Sequence, residues 1–99
     1  MSFYVKRHMS SDGRLVVAVC DKEVLGKEFR EGDIVLSVPE SFYRGDLVEL
    51  DDAVRAIEEA DIAVVTGRRI VEELIRLGIV CREAVLKVGN QLHVQIVRG

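Results

Sequence analysis

Ninety-nine residues with 48% hydrophobic side chains make one domain, with enough apolar chain for a core without disulfide or metal staples. A net charge of −3 argues against a bulk electrostatic binder of nucleic acid, and no run approaches the roughly 20 apolar residues of a membrane span. The N-terminus lacks the apolar stretch of a signal peptide, so the chain is expected to be cytoplasmic, without a membrane partner.

Phe3 to Met9 alternates with strand periodicity, and Ser10-Ser11-Asp12-Gly13 is a turn cluster ending in an Asp-Gly hairpin signal. Leu15 to Cys20 then runs apolar without alternation, as a strand buried on both faces does. Asp21 to Gly32 reads as a loop or a single helical turn broken by Gly26. Ile34 to Val38 reads as a third strand stopped by Pro39, the only proline. Leu50, Ala53, Val54, Ile57 and Ala60 follow helical spacing, with Asp51 as the expected N-cap.

Asp61 to Val65 reads as a short buried strand, although its apolar run also suits an extension of either neighbouring helix. Thr66-Gly67 leads into a second helix ending at Leu77, where Gly78 and Ile79 fit a Schellman ending against Leu74. Arg69 with Glu73 and Glu72 with Arg76 are spaced to pair across one turn. Ala84 to Val88 and Leu92 to Val97 close the chain as a hairpin around Gly89-Asn90, with Leu92, Val94 and Ile96 opposite His93, Gln95 and Val97. The expected fold is α+β: a single domain over residues 1–99, with a mostly antiparallel sheet of five or six strands built from terminal hairpins, and two helices.

One short pattern recurs. Phe29-Arg30-Glu31-Gly32-Asp33-Ile34-Val35 is followed thirteen residues later by Phe42-Tyr43-Arg44-Gly45-Asp46-Leu47-Val48. Each copy reads as an aromatic anchor, a Gly-Asp turn and entry into an extended run. Phe29 and Tyr43 are accordingly either core anchors or partner contacts. Charge is uneven: residues 40–61 carry −6 and residues 62–99 carry +3, which leaves room for a local basic patch. Charged residues at 31% beside only three amides (Asn90, Gln91 and Gln95) are a thermophile-like bias.

Thr66-Gly67-Arg68-Arg69 is the candidate anion site. Free N–H groups and the positive end of a helix dipole meet two arginines there, without the extra glycines of a phosphate loop. His93 and Gln95 are candidate partner contacts on the last strand, beside Asn90 and Gln91. Tyr4, Lys6 and His8 form a similar row on the first strand, and the two rows merge if the terminal strands are neighbours. Cys20 and Cys81 are read as small buried thiols. With His8 and His93 they lack the close ligand pairs of a zinc site, so no metal is expected. No residue has the sequence context of an activated nucleophile, so no catalytic residue or cofactor is assigned.

Val16-Val17-Ala18-Val19-Cys20-Asp21, Leu25-Gly26-Lys27, Phe29-Arg30-Glu31-Gly32, Phe42-Tyr43 with Gly45, Val71 with Gly78, and His93-Val94-Gln95-Ile96-Val97 occur in an order that resembles an archaeal family, domain of unknown function 424. That family often has an Asn near Val64 and a Pro before the late His, where this chain has Val64 and Leu92. The resemblance implies a small archaeal cytosolic protein with no assigned activity. It tilts the expectation towards a non-enzymatic binding module attached to the ribosome or an RNA-associated protein. The alternatives are an anion- or nucleotide-binding domain, with or without enzymatic activity, using the helix start at Gly67, and a homo-oligomer joined through an edge strand or the aromatic loops.

Overall fold

The computed structural model describes residues 2–98. The first hairpin pairs β1 (Phe3–Met9) with β2 (Leu15–Asp21) antiparallel, in the register Tyr4 to Cys20 and His8 to Val16. Two further strands, β3 (Glu28–Glu31) and β4 (Ile34–Ser37), form a small separate hairpin. The segment expected to be a loop or a single helical turn holds that turn, a 3-10 one at Lys22–Val24, and in addition a strand, with Gly32-Asp33 turning the chain back. Pro39 does more than stop β4: it precedes the one-turn helix α1 (Glu40–Tyr43). Its fixed φ suits a helix start, where a missing N–H costs nothing.

The short strand β5 (Asp46–Val48), the extended run expected after the second Gly-Asp turn, pairs with the start of β1. Helix α2 (Leu50–Glu59) follows, then β6 (Ile62–Thr66), α3 (Arg68–Arg76), β7 (Leu86–Val88) and β8 (Gln91–Val97). The main sheet has the order β5-β1-β2-β6-β8-β7 and is antiparallel except for the central β2–β6 pair. Two strands thus separate β1 from β8, so the polar rows of the terminal strands lie on one sheet face without merging.

Apolar residues of α2 and α3 (Ala53, Ala56, Ile57, Ile70, Val71 and Leu74) cover one sheet face with Phe3, Val5, Val17, Val19, Ala63, Val65 and Val94. The second face has a thinner cover. Ala18, Cys20, Val24, Val38 and Tyr43 are buried there, with Tyr4, Phe29, Phe42 and Val64 packed around them. Lys6 and His8 hold this cover down by bonding the carbonyls of Ser41 and Phe42 at 2.8 and 2.9 Å, and Phe42 stacks on His8. Basic side chains on the last carbonyls of a helix complement its dipole.

The repeated Gly-Asp pattern is not a structural repeat. Gly32 has φ +60° with open space around it and serves the β3–β4 turn, whereas a Cβ on Gly45 would strike the backbone of Val5 and Lys6. The first glycine is there for conformation and the second for close approach.

Other local expectations shift. Helix α2 begins two residues earlier than expected, with Glu49 at the N-cap, so Asp51 and Asp52 favour the dipole from the first turn. Helix α3 ends in the expected Schellman bonds, Ile79 N–H to the Leu74 carbonyl and Gly78 N–H to that of Ile75. Its ion pairs are different ones: Arg76 pairs with Glu73, Glu72 with Arg82, and Arg69 with Glu23. Cys20 is buried as expected, but Cys81 is exposed, because the segment after α3 runs over the surface.

Candidate functional site

Two polar side chains are fully buried among the described residues, Asp21 and Thr66, and both lie at one place. They sit at the C-terminal ends of β2 and β6, the parallel pair, where α3 starts. In open sheets with parallel strands this end, outside the strand carboxyl termini, is where binding sites gather. The antiparallel pairing of β6 with β8 sets Thr66 opposite His93, so the junction and the polar row of β8 become one surface.

The helix start holds its own anion. The Arg69 and Ile70 N–H groups donate to the Asp21 carboxylate at 2.8 and 2.9 Å, and the Arg68 N–H donates to Gln91 Oε1 at 3.0 Å. Burial pushes the Asp21 carboxyl above the usual carboxylate range, while the two N–H bonds and the Arg69 charge pull the other way. Gly67, at φ +133°, leaves the room for this carboxylate: a Cβ there would lie 2.6 Å from Asp21 Oδ2. Arg69 turns inward, donating to both Glu23 oxygens at 2.7 Å and lying over the Phe3 ring at 4.8 Å. The bond to Arg69 holds the Glu23 carboxyl below its ordinary range. Of the four residues expected to form an anion site, the exposed Arg68 keeps its guanidinium towards solvent.

Below the helix start runs a chain of polar groups. Tyr43 Oη lies 2.9 Å from Thr66 Oγ1, which lies 2.7 Å from His93 Nδ1, and the Gln95 amide lies 3.2 Å from His93 Nε2. Tyr43 and Thr66 are buried, so each hydroxyl proton needs an acceptor. Both have one if Tyr43 donates to Thr66, Thr66 donates to Nδ1, and His93 carries its proton on Nε2, with the Gln95 amide turned so that its oxygen accepts from Nε2. Burial pushes the Tyr43 hydroxyl pKa up and the His93 imidazole pKa down. Nearby, burial first and then Asp21 and Glu23 push the Cys20 thiol to about 12, so it stays protonated and unreactive.

Thr66→Val removes the acceptor for Tyr43 and the donor to His93 together, leaving buried polar atoms unpaired. It is expected to cost about 2–3 kcal/mol in chemical denaturation, against about 1 kcal/mol for Tyr43→Phe, which leaves the Thr66–His93 bond intact. His93 also gives the fold a pH signature. Its folded pKa lies below the ordinary 6.5, so on acidification the unfolded chain takes up the proton first. The stability this group supports is complete above that value and falls as pH drops below it towards the folded pKa. Thermal melts across this window are expected to show the loss in the native chain and a smaller loss in His93→Gln.

Of the two roles expected for Tyr43 it takes that of core anchor: it is 3% exposed and its hydroxyl points to Thr66. Phe29 packs half-buried into the cover of the second face and does not join the polar chain. His93 is half-buried, and Gln95 is exposed beside it. Sequence reading missed Asp21 and Gln91 as partners of the helix start. The available signal was an aspartate closing an otherwise apolar strand, at a position the β2–β6 pairing carries next to Gly67. No cluster of metal-ligating side chains occurs among the described residues, and none of their helices is long and apolar enough to cross a membrane.

These features define a small α+β protein whose sheet carries helices on one face and a partial cover on the other, with a polar strand–helix junction at the end of its parallel pair. The chain belongs to the family described as protein of unknown function (DUF424), whose model matches residues 8–98. The fold is also that of an uncharacterized conserved protein from Methanopyrus kandleri, known from its crystal structure. The two are 24% identical with a TM-score of 0.77, over 97% of this chain and 90% of that one. No curated protein matches.

Proposed function

We propose that the protein is a non-enzymatic cytoplasmic binding module that docks on the translation or RNA machinery through the outer face of β8 and the start of α3. The observation that carries this reading is the division of the junction into two parts. Asp21, Thr66 and Tyr43 are inside and fully engaged, while Arg68, Gln95 and the Nε2 side of His93 face outward. The outward set offers a cation, an amide and a neutral imidazole N–H, which are recognition groups. The hydroxyl that contacts His93 is wholly buried and out of a substrate's reach, which favours recognition over nucleophilic chemistry.

An anion or nucleotide at the helix start has less support, because it would have to displace the Asp21 carboxylate from two N–H groups and Gln91 from a third. Gradient sedimentation of lysate from the source organism, at low and high salt, tests the favoured reading. Migration with a ribosomal subunit or another RNA-containing particle, lost at high salt, is the expected result. Sedimentation only at the position of the free protein overturns it.

A further inference from the structure

The β8 strand is longer than its outer neighbour. β7 pairs with it only over Gln91–His93, while β8 continues to Val97. The bonds from Gly67 N–H to the Leu92 carbonyl and from Arg98 N–H to the Asp61 carbonyl fix the direction of every backbone group along the strand. Residues 92, 94, 96 and 98 face β6, and residues 91, 93, 95 and 97 face outward. Leu86 and Val88 take the outward groups of His93 and Gln91.

Opposite Gln95 the chain leaves the sheet, since the 3-10 turn Arg82–Ala84 bonds back on itself through Ala84 N–H to Cys81 and Val85 N–H to Arg82. Among the described residues the outward N–H and C=O of Gln95 and Val97 are therefore left without a strand partner. The other stretches of sheet edge carry charge: Asp46 on β5, Lys87 on β7, and Lys6 and Arg7 on the part of β1 beyond β5. Charge, lysine above all, is the usual protection of an edge against pairing. Val94-Gln95-Ile96-Val97 has none, and its Val97 is 66% exposed.

We propose that this edge pairs with the same edge of a second copy of the chain, antiparallel about a two-fold axis at Ile96. That register places Gln95 opposite Val97 of the copy in both directions, so each outward N–H meets an outward C=O and four bonds form. It sets the two exposed Val97 side chains diagonally on one face, within reach of each other. A copy of an uncharged strand brings no like charge against itself, so the self-complementary edge needs no specialised partner sequence. The face of β8 that carries His93 and Gln95 stays open in such a dimer, so this inference stands or falls separately from the binding reading.

Light scattering coupled to gel filtration across a dilution series is the test, using the native chain, Val97→Pro and Val97→Lys. Proline at 97 removes an N–H that faces outward and leaves the β6 ladder whole. Lysine keeps the N–H but sets like charges near each other across the axis. The native chain is expected to be a dimer that dissociates on dilution, and both variants are expected to lose the dimer while keeping the native circular dichroism. A native chain that is monomeric at every concentration overturns the proposal, as does a dimer that survives in Val97→Lys. If Val97→Pro does not fold, Val97→Lys decides alone.

Discussion

Gly67→Ala is expected to lower the stability of the domain by about 3–5 kcal/mol. Two costs combine. Gly67 sits at φ 133° and ψ 140°, a region open essentially to glycine alone, where another residue carries about 1–3 kcal/mol of strain. The added Cβ also falls on the Asp21 carboxylate, whose short side chain is tied to two N–H groups and cannot swing aside without releasing them. In a domain of this size each kcal/mol moves the melting temperature by about 4–8 °C, so a drop of more than ten degrees is expected in a thermal melt. A change of a few degrees or less would contradict the packing described at the junction.

Asp21→Ala is the second large effect, expected at about 2–4 kcal/mol by denaturant titration. It strips the N-cap acceptor from Arg69 and Ile70 and leaves the Ile70 N–H buried without a partner. Asp21→Asn is expected to cost less, since one side-chain oxygen remains to accept a bond. The two sites are also coupled. Once the carboxylate is gone the Gly67→Ala methyl group has room, so the double variant is expected to be less destabilised than the sum of the singles. Strict additivity would mean that Gly67 and Asp21 do not meet as described.

Most of the fold was legible because its strands and helices carry strong local periodicity. The apolar run Leu15–Cys20 is buried from Val17 onward, as a central strand must be, and the Schellman ending at Gly78 and Ile79 forms as spaced. Two short elements escaped and a third, β5, was legible only as an extended run, and each is held by tertiary contact more than by local pattern. β5 has three residues and exists by pairing with β1. α1 is a single turn whose carbonyls are held by Lys6 and His8 from another strand. β3 exists by pairing with β4.

The site divided in the same way. Thr66, Gly67, Arg68 and His93 stood out as residues with chemistry to offer. The fact that Thr66 meets His93 depends on the β6–β8 register, and Asp21 reaches the helix start only because β2 lies beside β6. The expected ion pairs along α3 failed for a related reason. Glu23 presents two oxygens to Arg69 from a neighbouring segment, a bidentate geometry that displaces the pairing with Glu73.

The binding reading rests on the outward groups of the junction, and one comparison tests it most directly: sedimentation in source lysate of the native chain against an Arg68→Ala/Gln95→Ala variant. Both substitutions are at exposed positions, so the variant is expected to keep its fold and melting temperature. The account predicts that the native chain migrates with a heavier particle at low salt while the variant stays at the free position. Equal migration of a folded variant with that particle would contradict it.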